Sequence, residues 1–234
     1  MLMNIERKYQ PSDKMSDLIS DNFSLLMVMS RFGLSLGFGD KTVKEVCDSQ
    51  KVDCETFLAV ANFMNEGLMT YSGEVDNFSL NALMDYLKNA HAYFIDFSLP
   101  MIRSKLIEAL DFSSTNNVSL LILKFFDDFH DEVRKHMEYE NRSIFTYVEK
   151  LQRGEQPKGG ITSLNSKHDQ IDTKIRELKN IIIKYYPEQA NNNLLNSVLF
   201  DIFNCEQDLD MHCQIEDYLF TPAVARLERR VQHG

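Results

Sequence analysis

The chain has 234 residues, of which 44% are hydrophobic and 26% are charged, a balance typical of a folded globular protein. Its formal net charge of −10 repels nucleic-acid phosphates, and Glu228 interrupts the densest basic cluster, at 226–230, so nucleic acid is excluded as a partner. No apolar run approaches the ~20 residues that a membrane-spanning helix needs, so no membrane association is expected.

Residues 1–70 are predicted to form a small helical N-terminal domain. The first residues lack the apolar core of a secretory signal peptide, so a cytoplasmic protein with reduced cysteines is expected. The polar segment 71–78 is predicted to link this domain to the rest of the chain. Helical spacing, glycines and N-cap residues predict these elements in order: one helix from 12 to 33, a turn at 36–40, a short helix at 42–49 and a helix capped by Asp53.

Residues 79–234 are predicted to form an up-down-up-down four-helix bundle, which makes the chain all-α. The sequence has only 9 glycines and 5 prolines, and long stretches contain neither. Short connections make successive helices antiparallel, and side chains from facing helices then converge in the bundle interior. The four helices are predicted at about 79–109, 117–151, 162–186 and 192–230.

One motif occurs twice in this bundle, a His followed four residues later by a Glu. Residues i and i+4 share a helix face, so each copy presents an imidazole and a carboxylate together. An isolated pair of this kind is usually an exposed ion pair worth ~0.3 kcal/mol. Here, however, every helix of the bundle also carries one His. The candidate metal ligands are His91, His136, Glu140, His168, His212 and Glu216.

Four imidazoles and two carboxylates favour two borderline metal ions. Iron is the best candidate, and zinc competes on affinity. Two bridging Glu side chains and an oxo or hydroxo bridge would neutralise most of the charge of two ferric ions in the bundle interior. We expect Asp169, Asp208 and Asp217 to accept hydrogen bonds from the imidazoles. His130, six residues before His136, lies on another face of its helix and is expected outside the ligand set.

The bundle residues resemble the hemerythrin-like family, and more narrowly its di-iron repair-of-iron-centres proteins, also called iron–sulfur cluster repair proteins. The likeness rests on "HDEVRKHMEYEN" (130–141), "KHDQ" (167–170) and "HCQIEDYLFTP" (212–222), and on "RFGLSLGFGDKTVKEVCDSQKVD" (31–53) in the N-terminal domain. The resemblance implies that the four histidines hold two irons that Glu140 and Glu216 bridge. It also implies a role in nitrosative and oxidative stress, with damaged iron–sulfur centres repaired by iron delivery or NO reduction. The implied partners are the small molecules O2, NO or peroxide and, among proteins, those that contain iron–sulfur clusters. The sequence does not decide whether the chain forms a homo-oligomer.

Two departures from the family pattern matter. The family's N-terminal domain usually carries an adjacent Cys-Cys pair where this chain has Leu36-Gly37-Phe38-Gly39. Cys47 and Cys54 are expected to pack rather than to replace that pair. The family also often has a fifth His near 108–114, where this chain offers only Glu108 and Asp111. The resemblance therefore implies one of two arrangements at one iron. Either a carboxylate replaces the missing His, or that coordination position is open to an external ligand. The alternative function is a non-catalytic sensor or carrier of O2 or NO.

Overall fold

The structure, a computed structural model, describes residues 8–66, 78–112, 117–157, 168–188 and 192–233. These ranges are mainly helical, and their β-structure is limited to one bridge between Lys14 and Thr42. The all-α prediction is confirmed. None of the helices in the described ranges is long and apolar enough to cross a membrane. Nearly all of the predicted linker at 71–78 lies outside the described residues.

The α-helices follow one another along the chain and are numbered here in order. Within the described ranges they are α1 (Met15–Asp21), α2 (Leu25–Arg31), α3 (Val43–Gln50), α4 (Cys54–Glu66), α5 (Leu80–Ala92), α6 (Leu99–Ala109), α7 (Val118–Tyr139), α8 (Phe145–Gln152), α9 (His168–Tyr185), α10 (Asn193–Ile215) and α11 (Thr221–His233). Three π-helical segments continue α5, α7 and α10: Tyr93–Ser98, Glu140–Ile144 and Glu216–Phe220.

The single helix predicted from 12 to 33 is wrong, because the chain forms two helices, α1 and α2. The break falls at Asn22, whose backbone is extended with φ −142° and ψ 97°. Its side-chain oxygen accepts a hydrogen bond from the backbone N–H of Ser24 at 3.1 Å. This local bond competes with the helix, as short Asn side chains often do. Phe23, which directly follows the break, is 78% exposed.

The next two helices form as predicted, and the predicted N-cap Asp53 is confirmed. Thr42 and Glu45 form a capping box at the start of α3, in which each side chain accepts from the other residue's backbone N–H. Asp53 accepts a hydrogen bond from the backbone N–H of Thr56 at 2.8 Å, at the start of α4. Gly37 and Gly39, in the predicted turn, have φ values of 88° and 64°, which L-residues with side chains rarely adopt.

The chain divides into two compact units, the first consisting of Met1–Ala90 and Ile215–Arg230. Within it the N-terminal helices pack against α5 and against the chain after α10. The Phe32 ring lies 4.8 Å from the Tyr86 ring, and the Phe63 ring lies 6.2 Å from the Tyr218 ring. Asn89 donates a hydrogen bond to the Arg31 carbonyl at 2.7 Å. The first unit is therefore larger than the domain predicted for residues 1–70, whose independence remains a prediction.

The second unit, His91–Gln214 with Val231–Gly234, contains α6, α7, α9 and α10 packed around a common core. Lys105 pairs with Asp201 at 2.7 Å, and Ser98 lies opposite Cys205, so residue numbers rise along α6 as they fall along α10. These two helices are antiparallel. Three further ion pairs join the other neighbouring helices of this unit. Arg103 of α6 pairs with Asp127 of α7, Glu132 of α7 with Lys174 of α9, and Lys179 of α9 with Glu206 of α10.

The π-helical segments coincide with the doubled motif. Two of them begin at the motif glutamates, Glu140 and Glu216, and the third begins at Tyr93, two residues after His91. Both motif helices therefore change from α-helical to π-helical winding at the Glu. A π turn holds one more residue than an α turn, so it rotates the residues that follow. Such segments occur frequently at functional sites.

Candidate metal centre

The structure brings four of the six predicted ligands into one buried cluster: His91, Glu140, His212 and Glu216. Each residue offers one ligand atom, and these atoms all lie within 4.8 Å of one another. Three different helices supply them, α5, the continuation of α7, and α10 with its continuation. Ligands distant in sequence are thus brought together by helix packing.

His91 lies at the middle of the closest contacts. Its Nε2 atom is 3.1 Å from Nε2 of His212 and 3.4 Å from Oε2 of Glu140. The two imidazole rings meet edge to face, with their centroids 4.9 Å apart. Both Nε2 atoms therefore point into the same small volume, as two ligands of one ion would.

Asn141 orients the His91 ring. Nδ1 of His91 lies 2.9 Å from Oδ1 of Asn141. An amide oxygen only accepts hydrogen bonds, so Nδ1–H is the donor, and in the neutral imidazole Nε2 is then the nitrogen that can bind a metal ion. Metal-binding histidines usually donate their second N–H in this way. The sequence predicted aspartates for this role and missed Asn141, although Asn141 directly follows the motif Glu.

The carboxylate of Glu140 faces two imidazoles with its two oxygens. Oε2 points towards His91, and Oε1 lies 3.2 Å from Nε2 of His136, which is also buried. One oxygen directed to each of two imidazoles is the arrangement of a carboxylate that spans two ions. His136 therefore adjoins the four-residue cluster through Glu140. His168 is the first residue of α9, and its side chain lies outside the described part of the chain.

Aromatic rings enclose the histidines. The Phe145 ring stacks on His91 with a centroid distance of 5.7 Å and an interplanar angle of 15°. The edge of Phe94 lies against His212 at 5.9 Å. Both phenylalanines are buried. They raise the cost of leaving an unpaired charge among these ligands, because a low-dielectric surrounding strengthens every electrostatic term.

The donor set fits a metal ion on two grounds. Two ligand atoms that each lie ~2.1 Å from the same ion are at most ~4.2 Å apart. The ligand atoms of the cluster lie within 4.8 Å of one another, so small side-chain movements would bring them to coordinating distance. Two buried carboxylates also place negative charge in the interior, which a bound cation would neutralise. Imidazole and carboxylate ligands without thiolate suit iron, and zinc to a lesser degree.

The other residues singled out in the sequence lie outside the cluster. His130 is half-buried, and burial, followed by the nearby Arg134 cation, lowers its pKa. Its Nε2 has no hydrogen-bond partner within the described ranges. Glu108 is exposed and lines a cavity of about 300 Å³ with Asp111 and residues 193–195. It lies ~25 Å from His91 along the helix, too far to replace the missing fifth His.

Cys47 and Cys54 lie close together where α3 packs against α4. Burial raises the pKa of Cys47 to about 12, and burial is also the main cause of the raised pKa of Cys54. Both thiols are therefore protonated at neutral pH. This state is typical of packed cysteines and unfavourable for thiolate chemistry.

Comparison with protein-family models matched residues 82–224 to the hemerythrin family, described as the hemerythrin HHE cation binding domain. The match covers more than half of the 234 residues and includes all six predicted ligands. A search of curated proteins found no match. The predicted likeness to hemerythrins is confirmed, and the narrower likeness to repair proteins remains a prediction.

Proposed function

Because the chain belongs to the hemerythrin HHE cation-binding family, we propose that it is a di-iron protein whose centre binds small oxygen- or nitrogen-containing ligands. The observation that carries this proposal is the buried cluster of His91, Glu140, His212 and Glu216 within the matched region. His136 and His168 complete the proposed ligand set. The two ions are iron with an oxo or hydroxo bridge, and zinc is the competing occupant.

Glu140 and Glu216 are the proposed bridging ligands. Glu140 directs one oxygen to His91 and the other to His136, which supports a position between two ions. Glu216 opens the corresponding π-helical segment four residues after His212. Two carboxylates shared by two ions offset charge that neutral imidazoles leave uncompensated. If only one ion were bound, one oxygen of the Glu140 carboxylate would be buried without a cation beside it.

The protein's own residues hold and shield the centre. Asn141 accepts a hydrogen bond from the Nδ1–H of His91, which holds the imidazole with Nε2 directed into the cluster. Phe145 and Phe94 cover the outer sides of His91 and His212 and exclude water. A di-iron centre in this enclosure would supply a binding position for O2, NO or peroxide and, in its diferrous form, electrons for the reduction of NO.

The physiological role that we propose is repair of damaged iron–sulfur centres in the cytoplasm during nitrosative or oxidative stress. Iron delivery to the damaged centre and reduction of NO are the two routes. Support comes from the sequence likeness to repair proteins over residues 31–53 and at the His and Glu positions of the bundle. Iron–sulfur proteins would be the macromolecular partners.

A sensor or carrier of O2 or NO is the second candidate, favoured by contacts within the first compact unit. Asn89, two residues before His91, donates to the Arg31 carbonyl, and Tyr218, two residues after Glu216, stacks on Phe63. Small shifts of the ligand-bearing helices would reach the N-terminal helices through these contacts. The absence of the Cys-Cys pair at Leu36-Gly37-Phe38-Gly39 also favours binding over thiol chemistry.

Anaerobic loading with Fe(II), followed by metal analysis and stopped-flow mixing with NO, tests both candidates. About two irons per chain are expected. Continued NO consumption with a supplied reductant supports reduction, whereas a stoichiometric spectral change that then stops supports the sensor. A His130→Gln variant, changed in a half-buried His outside the cluster, is the matched control and should load normally. Absence of iron from the loaded wild-type protein would contradict both candidates.

A further inference from the structure

The two π-helical segments that begin at the motif glutamates end with the same backbone hydrogen bond. The amide five residues after each Glu donates to the carbonyl of that Glu, from Phe145 to Glu140 and from Thr221 to Glu216. A bond from residue i+5 to residue i closes one π turn, so the later residue follows the Glu on the same side of the helix. Phe145 and Thr221 therefore occupy equivalent positions in the doubled motif.

The first copy shows what this position faces. The Phe145 ring is buried and stacks on the His91 imidazole at a centroid distance of 5.7 Å. A side chain at the fifth position after the motif Glu thus reaches the candidate ligands. The second copy places a hydroxyl, that of Thr221, at this position instead of an aromatic ring.

The Thr221 hydroxyl is unusual in its burial. Its Oγ1 atom is buried and has no hydrogen-bond partner in the described part of the chain, although the residue as a whole is partly exposed. A helical threonine commonly donates to a carbonyl of the preceding turn, and few buried polar groups in folded proteins lack a partner. No hydrogen bond joins this hydroxyl to the Glu216 carboxylate, so it does not orient that candidate ligand.

We propose that the Thr221 hydroxyl donates a hydrogen bond to a small, electron-rich ligand bound at the candidate metal centre, an inference that rests on the proposed di-iron function. A hydroxyl rotates about its C–O bond and can direct its proton to an acceptor that enters the site. Phe145 and Phe94, which enclose the histidines, carry no donor. Thr221 would therefore favour ligands with an acceptor atom over apolar ligands of the same size.

Azide is the probe, because it is a small anion with acceptor atoms, and hydrogen bonds to charged acceptors are stronger than those between neutral groups. The full-length, iron-loaded protein is oxidised and titrated with azide, and absorbance gives the dissociation constant. Thr221→Val removes the hydroxyl and nearly keeps the side-chain shape. It should raise the azide dissociation constant about tenfold, which corresponds to the loss of one hydrogen bond.

Two further variants separate the hydroxyl from the packing around it. Thr221→Ser keeps the hydroxyl and should bind azide almost as tightly as the wild type. Ser143→Ala is the matched control, because it removes an exposed hydroxyl from the other π-helical segment, and it should bind azide like the wild type. All three variants should contain as much iron as the wild type.

Urea unfolding of the metal-free proteins supplies a readout that does not depend on iron. Thr221→Val should leave the free energy of unfolding unchanged or raise it, because it removes a buried hydroxyl that lacks a partner. A Thr221→Val protein that is less stable than the wild type would show that the hydroxyl has a structural partner, and the proposal would then be wrong.

Equal azide affinity in the wild type and Thr221→Val would also overturn the proposal. So would iron loss in Thr221→Val, or an affinity that is as low in Thr221→Ser as in Thr221→Val. An iron-loaded wild type that binds no azide would overturn this inference and leave the di-iron proposal intact. A wild type that takes up no iron would contradict the di-iron proposal itself, and this inference with it.

Discussion

Nδ1 of His91 donates a hydrogen bond to the side-chain oxygen of Asn141 at 2.9 Å, across a sequence separation of 50 residues. The acceptor directly follows Glu140, whose carboxylate lies on the other side of the same imidazole. One π-helical segment thus supplies both a candidate ligand and the residue that orients a second ligand. This relationship makes Asn141 testable independently of the ligands.

Replacing Asn141 by Leu should weaken metal binding about 10- to 100-fold, because the ring of His91 loses the acceptor that fixes its tautomer and orientation. Asn141→Asp keeps an acceptor and should bind at least as well as the wild type. Competition with a chelator measures the dissociation constant. Arg142→Leu is the control, since Arg142 is exposed and pairs with Glu138. Unchanged affinity in Asn141→Leu would show that Asn141 does not position His91.

Loss of either motif Glu should reduce iron content far more than loss of His130. Glu140→Ala and Glu216→Ala each remove a buried carboxylate from the cluster, whereas His130 lies outside it. The carboxylate neutralises the cation as well as binding it, so its removal costs more than removal of a neutral group. Metal analysis after identical iron loading gives the comparison. Equal iron loss in Glu140→Ala and His130→Ala would contradict this ranking.

His130 should make the folded protein sensitive to acid. Burial lowers its pKa below the ordinary value of 6.5, with Arg134 and Arg103 acting in the same direction and Asp131 and Asp127 opposing them. Between the two pKa values the folded state binds fewer protons than the unfolded chain, so the free energy of unfolding decreases as the pH falls below about 6.5. His130→Gln should lose less stability over this range.

Urea unfolding at about pH 5.5 and pH 7.5, with the wild type and His130→Gln compared at each pH, measures this effect. Release of metal on acidification is common to both proteins and cancels in the comparison. An identical loss of stability in the two proteins would mean that His130 titrates equally in the folded and unfolded states.

A truncated chain beginning near Asn77 should retain its iron while unfolding at a lower temperature. All six proposed ligands lie beyond residue 90, so their chemistry does not require the N-terminal helices. The truncation does remove Phe32 from the buried Tyr86 and Phe63 from Tyr218, and apolar surface is then exposed. Iron content, circular dichroism and the melting temperature are the readouts.

A shortened chain that stays helical but binds less than half the iron of the full chain would show that residues 1–70 contribute to the site. A chain that loses both helix content and iron would show that the predicted domain division is wrong. Phe63→Ala in the full chain distinguishes the contact with Tyr218 from the rest of the N-terminal segment.

Much of the fold follows from local sequence. The bundle helices at 80–109, 118–152 and 193–233 begin and end within a few residues of the predicted positions, because apolar residues repeat at helical spacing and polar segments separate them. The third helix ends one residue before its predicted end, and its predicted start at 162 lies outside the described residues. The prediction failed at Asn22, where a side-chain hydrogen bond of one residue outweighs the helical pattern around it. The π-helical segments also escaped prediction, since no propensity distinguishes a π turn from an α turn.

The sequence by itself determined the helical bundle, the hemerythrin likeness and the candidate ligands, because a repeated His-to-Glu spacing of four residues defines one helix face. Only the tertiary structure decided that His91, Glu140, His212 and Glu216 meet, and that Asn141 rather than an aspartate orients His91. Periodicity fixes positions around one helix axis, whereas contacts between helices depend on how their side chains pack in three dimensions.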